Sequence, residues 1–400
     1  VKIAPAAHWR KISAALKGKN SALRLLYVLY YGSNAAWYPF FNVYLRQIGM
    51  TGLQIGALAS IRPAAMLVSQ PVWGAVADMW GRRRALLVTM ALSAGLVVGF
   101  AGGQSFWFLF GWVILHALLS SPVGALLDSL VLDHLESQPK LSYGQFRLWG
   151  AVGWAVLAVV VGRLVSGQDM RLIFPFGAIL MLSGWLLAWL TTRGELSGRV
   201  SLGRSWRGLA PLLHNRRLLT FLALIVLSQV GAASVFSFYP VYMAAIGASS
   251  SLIGMGLSLQ GLSELPLYLS AAAIIRRLGA TKTLIFAFLI FATRTFLYSS
   301  ISNPALGVAV EALHGLSFSL YLVASVDYVN RQVPAEWRAT GQSLFWAAHV
   351  GAGGILGNAW AGFLYDRIGV QSMFRLNGLI IVAVALAALV ALRGDRDLTP

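Results

Sequence analysis

Of 400 residues, 58% are hydrophobic and 11% charged, and the mean hydropathy is +0.71; a water-soluble core with a polar shell does not reach that balance, so the solvent of this chain is largely lipid. The sequence has no cysteine, which excludes disulfides, thiolate metal sites and cysteine nucleophiles. Its net charge of +18 would suit nucleic acid, but the Lys and Arg residues sit at the ends of apolar stretches, as at a membrane surface, and no nucleic-acid partner is expected.

In chain order, the first segment carries Lys2, Arg10, Lys11, Lys17, Lys19 and Arg24 around Trp9, Ile12 and Leu16, an amphipathic spacing that suits the bilayer surface; no cleavable signal peptide is evident. A membrane span needs roughly 20 mostly apolar residues. Such stretches predict helices over 21–46, 53–80, 84–102, 106–133, 144–166 and 171–192, and again over 218–244, 251–276, 282–300, 304–330, 338–365 and 372–392. The expected fold is an all-α membrane protein of twelve transmembrane helices in two six-helix bundles. The first bundle spans 1–192 with its amino-terminal segment, 193–217 is a linker, and the second bundle spans 218–400. Basic residues concentrate in alternate connections, including Arg82, Arg83 and Arg84, the run from Arg193 to Arg217, and Arg276, Arg277 and Lys282. That asymmetry predicts both termini in the cytoplasm of a cell whose inner, or plasma, membrane holds the chain.

The two halves match at a nearly constant offset. Phe40, Val43, Tyr44, Ile48, Gly49, Ile55 and Gly56 recur 198 positions later as Phe238, Val241, Tyr242, Ile246, Gly247, Ile253 and Gly254, and Gly81 recurs as Gly279. Gly144, Gln145 and Trp149 meet Gly341, Gln342 and Trp346 at 197. A parallel repeat of six helices sets its halves about an axis normal to the membrane and puts the solute site between them near midplane.

Between the second and third helices runs Gly74-Ala75-Val76-Ala77-Asp78-Met79-Trp80-Gly81-Arg82-Arg83-Arg84. Its small residues suit a close approach of two helices, Asp78 suits a helix terminus, and the arginines suit a basic membrane face. The segment resembles the signature loop of the major facilitator superfamily, Gly-x-x-x-Asp-Arg-x-Gly-Arg-Arg, with Met79 at the usual arginine. The resemblance implies two bundles rocking about a central cavity, with Gly74, Asp78, Gly81, Arg82 and Arg83 as the signature positions. A second stretch, Tyr143-Gly144-Gln145-Phe146-Arg147-Leu148-Trp149-Gly150-Ala151-Val152-Gly153-Trp154, resembles the branch of that superfamily typified by lactose permease and phenylpropionate permease. That likeness implies Arg147 as a sugar-binding arginine, Trp154 as the ring stacked on the sugar, and Asp128 as the acid partnering Arg147. In the second half Glu264, Arg294 and His314 resemble the branch's acid, arginine and histidine, and His349 lies close to a lysine position. Ser317 replaces the glutamate that carries the transported proton there.

An ionisable side chain within a span costs several kcal/mol unless paired or hydrated, so function is sought at Arg62, Asp128, Arg147, Glu264, Arg294, Glu311, His314, Asp327 and His349. Glu264 is read either as a proton-binding acid or as the partner of Arg294. Glu311 and His314, three positions apart, share a helix face and can form an acid and imidazole pair, read either as a proton relay or as interhelical packing. Asp128 and Asp327 are candidates for gating ion pairs, and Arg62 for lining the cavity, its repeat mate being Gln260. His116 is read as a packed polar residue. Asn34 and Tyr38 on the first helix are candidate solute contacts through an amide and a ring.

The expected function is a secondary active transporter of a small polar solute, a sugar or oligosaccharide, by alternating access with H+ as the symported ion. The alternatives are an organic-anion permease, a drug and proton antiporter, and, from another class, a non-transporting membrane sensor. A Walker-type loop, a nucleophile elbow and a metal cluster are all absent from the sequence. Neither an enzyme nor a cofactor nor a metal is therefore expected, and the partners are the solute, H+ and the lipid bilayer, with the chain a monomer.

Overall fold

The computed structural model describes residues 6–136, 138, 141–192, 212 and 214–392. Most of the expected linker, 193–217, lies outside the described residues, as do Lys140 and the side chains of residues 1–17. Among the described residues the chain is helical with no strand. The helices are α1 Ala6–Gln47, α2 Gly52–Trp80, α3 Arg82–Gly99, α4 Phe106–Glu136, α5 Tyr143–Leu164 and α6 Ile173–Thr191. In the second half α7 is Arg216–Ala245, α8 Ser250–Leu278, α9 Ala280–Tyr298 and α10 Pro304–Gln332, followed by α11 at 338–368 and α12 at 370–391.

Nine helices among the described residues are long and apolar enough to span a membrane by length and composition alone. Three considerations bring these to the twelve expected. The α1 and α8 helices are long enough but carry more polar residues, and the stretch Thr340–Ala391 is two spans, because Gly369 at φ +75° breaks it. The difference from the sequence expectation is at α1, which begins at Ala6 so that the amphipathic segment and the first span are one helix.

The duplication seen in the sequence is built into the backbone. Gly49 and Gly247 both have φ +89°, and Gly81 and Gly279 have +93° and +82°. These left-handed positions, costly for a residue with a Cβ, let each chain reversal between spans be made in very few residues. Thr51 and Ser249, also 198 apart, each cap the helix after the first reversal: the Thr51 hydroxyl accepts from the Gln54 amide and the Ser249 hydroxyl from the Leu252 amide, both at 3.2 Å.

The bundles meet along α2 with α11 and α5 with α8, with α1 against α7 between them. Both main contacts are backbone to backbone. A Cβ on Gly56 would stand 2.4 Å from the Asn358 carbonyl oxygen and one on Gly362 2.3 Å from that of Gly52; across the other pair, a Cβ on Gly254 would be 2.3 Å from the Ala158 carbonyl oxygen. These contacts cluster at the end of the molecule where Gly49, Gly247 and Gly369 turn the chain. Asp366, at the end of α11, holds the same end: its two carboxylate oxygens accept from the Gly52 and Leu53 amides at 2.7 and 2.8 Å. The acid of one bundle thus caps the first turn of a helix in the other, where the helix dipole favours negative charge. At the opposite end the first turns of α11, Arg338–Trp346, pack on α7 and α10 of their own bundle, and Met79 and Trp80 at the end of α2 are 75% and 59% exposed. The backbone contacts across the seam are thus concentrated at one end.

Replacing Asp366 by Ala removes both charge-assisted bonds, each worth at most about 1.5–3 kcal/mol net and less where solvent reaches them, and is expected to shift the population toward a form open at this end. Spin labels on cysteines introduced at Gln168 and Ala245, one exposed site in each bundle, report it without background because the chain has no cysteine of its own. An unchanged distance distribution would show that the glycine contacts alone close the seam.

Candidate functional site

The second bundle carries a buried charged cluster. Arg294 on α9 is 0% exposed, and so has to be neutralised and hydrogen-bonded within the protein. Its NH2 donates to Glu311 Oε2 at 2.8 Å, its NH1 donates to Ser317 Oγ at 3.0 Å and lies 3.1 Å from His314 Nδ1. Glu311 is tied on its other oxygen by the Tyr298 hydroxyl at 2.6 Å. Three residues of α10 reach one guanidinium because that helix is irregular: a 3₁₀ turn at Glu311–Leu313 is followed by a π turn at Gly315–Ser319. Gly315 permits this, since a Cβ there would stand 2.0 Å from the Ser263 carbonyl oxygen of α8, and its amide donates to the Ser263 hydroxyl at 2.9 Å.

His314 leads outward from this cluster. Arginine only donates, so Nδ1 is the accepting nitrogen, and the proton of a neutral ring is placed on Nε2, which donates to Glu264 Oε1 at 3.0 Å. The Glu264 side chain is 22% exposed, the least buried member of the chain Tyr298, Glu311, Arg294, His314 and Glu264. Gln260, one turn before it, lies 3.1 Å from the same imidazole.

The first bundle presents a different arrangement along α1. Tyr31, Asn34 and Tyr38 lie on one face, spaced by three and four residues. Arg147 of α5 stacks over the Tyr31 ring at 4.2 Å, and Arg62 of α2 stacks over Tyr38 at 4.5 Å while its NH2 donates weakly to Asn34 Oδ1 at 3.4 Å. Gly150 and Gly153 bring α5 onto α1, a Cβ on Gly153 meeting the Val28 carbonyl oxygen at 2.4 Å. Trp154 lies at the seam, close to Gly261 of α8.

Several expected pairings are corrected. Glu264 is bonded to His314, and Arg294 takes Glu311, a nearer acid on the adjacent helix. Glu311 and His314 do share a face, but both are turned to Arg294 and not to each other. Asp128 accepts from the Tyr27 hydroxyl at 2.6 Å and has no ion pair with Arg147, because Tyr27 is the nearer donor. Asp327 pairs with Arg331 one turn along its own helix at 2.8 Å, so neither of the two proposed gate acids bridges the bundles in this conformation. His349 stands apart from the Arg294 cluster, on a π turn at Ala347–Gly353, bonded through Nδ1 to the Tyr321 hydroxyl at 3.0 Å and stacked on Phe345. In the signature loop a Cβ on Gly74 would meet nothing, so no close helix contact depends on it here, and Asp78 has no ion pair among the described residues. Arg82 pairs with Asp133 of α4, and Arg83 donates to the Trp189 carbonyl of α6 at 2.8 Å, so these arginines fasten their own bundle.

Sequence reasoning missed Tyr31, Tyr298 and Asp366. The signal for Tyr31 was its place one turn before Asn34, and Tyr298 carried none. For Asp366 the signal was plain: Gly362, Asp366 and Gly369 repeat the spacing of Gly74, Asp78 and Gly81, with Arg367 where the first copy has Met79.

A family model described as the MFS_1 like family matches residues 21–376. Maltose permease of Geobacillus stearothermophilus is 26% identical over 384 residues, covering 94% of this chain and 96% of that protein. A probable 3-phenylpropionic acid transporter of Escherichia coli (strain K12) is 28% identical over 355 residues, covering 87% and 91%. Among solved structures, the nucleoside transporter NupG superposes with a TM-score of 0.83 at 18% identity, covering 94% of this chain and 99% of that one, which shows the same fold.

Breaking a buried ion pair by removing one partner costs about 3–5 kcal/mol, whereas replacing both with apolar groups is close to neutral. Glu311→Ala is therefore expected to lower the melting temperature in detergent sharply, and Arg294→Met with Glu311→Leu to restore most of it. Equal destabilisation by the single and double changes would show that Arg294 is not held by that pairing.

Proposed function

Because the chain belongs to the MFS_1 like family, we propose that this membrane transporter couples the passage of its small polar solute to protons through the chain of groups that ends at Glu264. The observation that carries the reading is the position of His314, bonded to the buried Arg294 on one side and to the partly exposed Glu264 on the other. A second proton on the imidazole would put a cation 3.1 Å from the guanidinium. Glu264 is then the group that takes the proton, and once neutral it holds His314 by a weaker bond, since charge-assisted hydrogen bonds are roughly twice as strong as neutral ones. Ser317, at the position of the acid in the lactose-permease-like branch, accepts from Arg294 and leaves proton binding to Glu264.

The solute site in this proposal is the space between the bundles bordered by Asn34, Tyr38, Asp128, Arg147 and Trp154 on one side and Glu264 on the other. Maltose permease, a relative along nearly its whole length, supports a sugar or oligosaccharide as the cargo. Residues 1–192 and 218–400 act as the two rocking units and 193–217 as their tether, with both termini in the cytoplasm and the inner membrane as the site of action. In that orientation the closed end of the seam faces outward and the site opens inward. The transporter works as a monomer, since each copy holds both halves of the site.

In proteoliposomes with an imposed inward proton gradient, Glu264→Gln is expected to lower solute accumulation at least tenfold while leaving exchange of labelled for unlabelled solute largely intact. Arg147→Ala is expected to lower both by a similar factor, with the protein still inserted and monodisperse. Normal gradient-driven accumulation by Glu264→Gln would remove that acid from coupling.

A further inference from the structure

The register of α5 against α8 brings a further residue of the second bundle opposite Arg147. The two helices run antiparallel across the seam: a Cβ on Gly254 would stand 2.3 Å from the Ala158 carbonyl oxygen, and one on Gly261 would stand 3.7 Å from the Trp154 ring. Seven residues on from Gly261 is Tyr268, and seven back from Trp154 is Arg147. Seven residues are close to two turns, so these two face each other as Gly261 and Trp154 do, and the guanidinium charge acts on the Tyr268 hydroxyl. The Tyr268 side chain is 41% exposed. It also follows Glu264 by one turn on the same face of α8, and its hydroxyl reaches the Glu264 carboxylate beside the fully buried Ser319 hydroxyl. Ser319 Oγ has no hydrogen-bond partner of its own among the described residues.

The duplication isolates what is particular to this place. Gln70 and Ser121 are the mates of Tyr268 and Ser319, 198 positions earlier, and they too meet, Gln70 donating to the Ser121 carbonyl at 3.4 Å. A polar contact here therefore belongs to the shared fold. The first bundle has Met66 where the second has Glu264, so only the second sets an acid beside the contact. Glu264 gives Oε1 to His314, and Tyr268 is the donor on the side toward Arg147. We propose that Tyr268 is the positioning residue that ties solute to proton: its hydroxyl donates to the Glu264 carboxylate and turns to an oxygen of a solute held by Arg147. The inference rests on the proton reading of Glu264 given above and adds the group through which the solute reaches that acid. A donor favours the charged form of a carboxylate, so a solute that draws the hydroxyl away leaves Glu264 readier to take a proton. The proton comes from water, and Tyr268 keeps its own throughout. The other ionisable groups around this pair are His314 of α10 and Arg147 of α5.

Infrared difference spectra of the full-length protein in proteoliposomes, taken between alkaline and acidic buffer, show the Glu264 carbonyl stretch as the band lost in Glu264→Gln. Tyr268→Phe removes one hydroxyl from a partly exposed ring and is expected to move that band to higher frequency without a solute present. It is expected to lower proton-driven maltose accumulation about fivefold, the effect of one hydrogen bond, while counterflow and melting temperature are kept. Maltose is expected to move the band upward in the unchanged protein and not in Tyr268→Phe. A band unmoved by Tyr268→Phe, or moved equally by maltose in both proteins, overturns the proposal and leaves proton coupling standing so long as Glu264→Gln lowers accumulation. If maltose is not carried, the Tyr268→Phe band alone decides. Normal accumulation by Glu264→Gln rejects the coupling reading itself, and this inference with it.

Discussion

In a medium where water does not reach, a charge has to be met by another charge or by a ligand, and in this protein that requirement organises the second bundle around Arg294. The guanidinium is fully buried, so Glu311 is drawn to it, Tyr298 satisfies the other oxygen of Glu311, and Ser317 takes a further donor. To bring those groups to one point α10 gives up regular geometry, tightening at Glu311–Leu313 and widening at Gly315–Ser319. The ring of His314 is oriented by the same arginine, and its remaining nitrogen reaches Glu264. One desolvated charge thus determines a helix irregularity, a tautomer and the position of an acid at the edge of the seam.

The seam obeys the opposite logic. A transporter has to close and reopen, and two bundles joined by large interlocking side chains would do so slowly and at high cost. Here the main closures are backbone against backbone at Gly52, Gly56 and Gly362 on one side and Gly162 and Gly254 on the other. Lipid offers no hydrophobic drive for helices to associate, so close packing through small residues supplies the attraction. Asp366 adds two directional bonds from the end of α11 to the first turn of α2.

Much of the fold was legible because the two signals that carry it are local. Apolar stretches of spanning length mark helices wherever the solvent is lipid, and the register of the repeat marked Gly49 with Gly247 and Gly81 with Gly279, which share positive φ because both members make the same reversal. The weak point was hydropathy alone: α1 and α8 carry more polar residues than the other spans, and Gly369 hides a boundary inside a continuous apolar run. The site was legible as a list of charged residues and not as a set of bonds. Arg62 and Arg147 were singled out, but their stacking on Tyr38 and Tyr31 depends on how α2 and α5 lean on α1.

By itself the sequence determined the membrane as solvent, the twelve spans, the duplication, the family and the presence of ionisable groups where lipid penalises them, because composition and spacing act through the local free energy of each segment. Only the tertiary structure decided who pairs with whom. Glu264 went to His314, Asp128 to Tyr27, Asp327 to Arg331, and Asp366 crossed to the other bundle. Hydrogen bonds form over about 3 Å, and separations that small between residues distant in sequence depend on helix rotation, on the width of a π turn and on where a glycine lets two backbones touch.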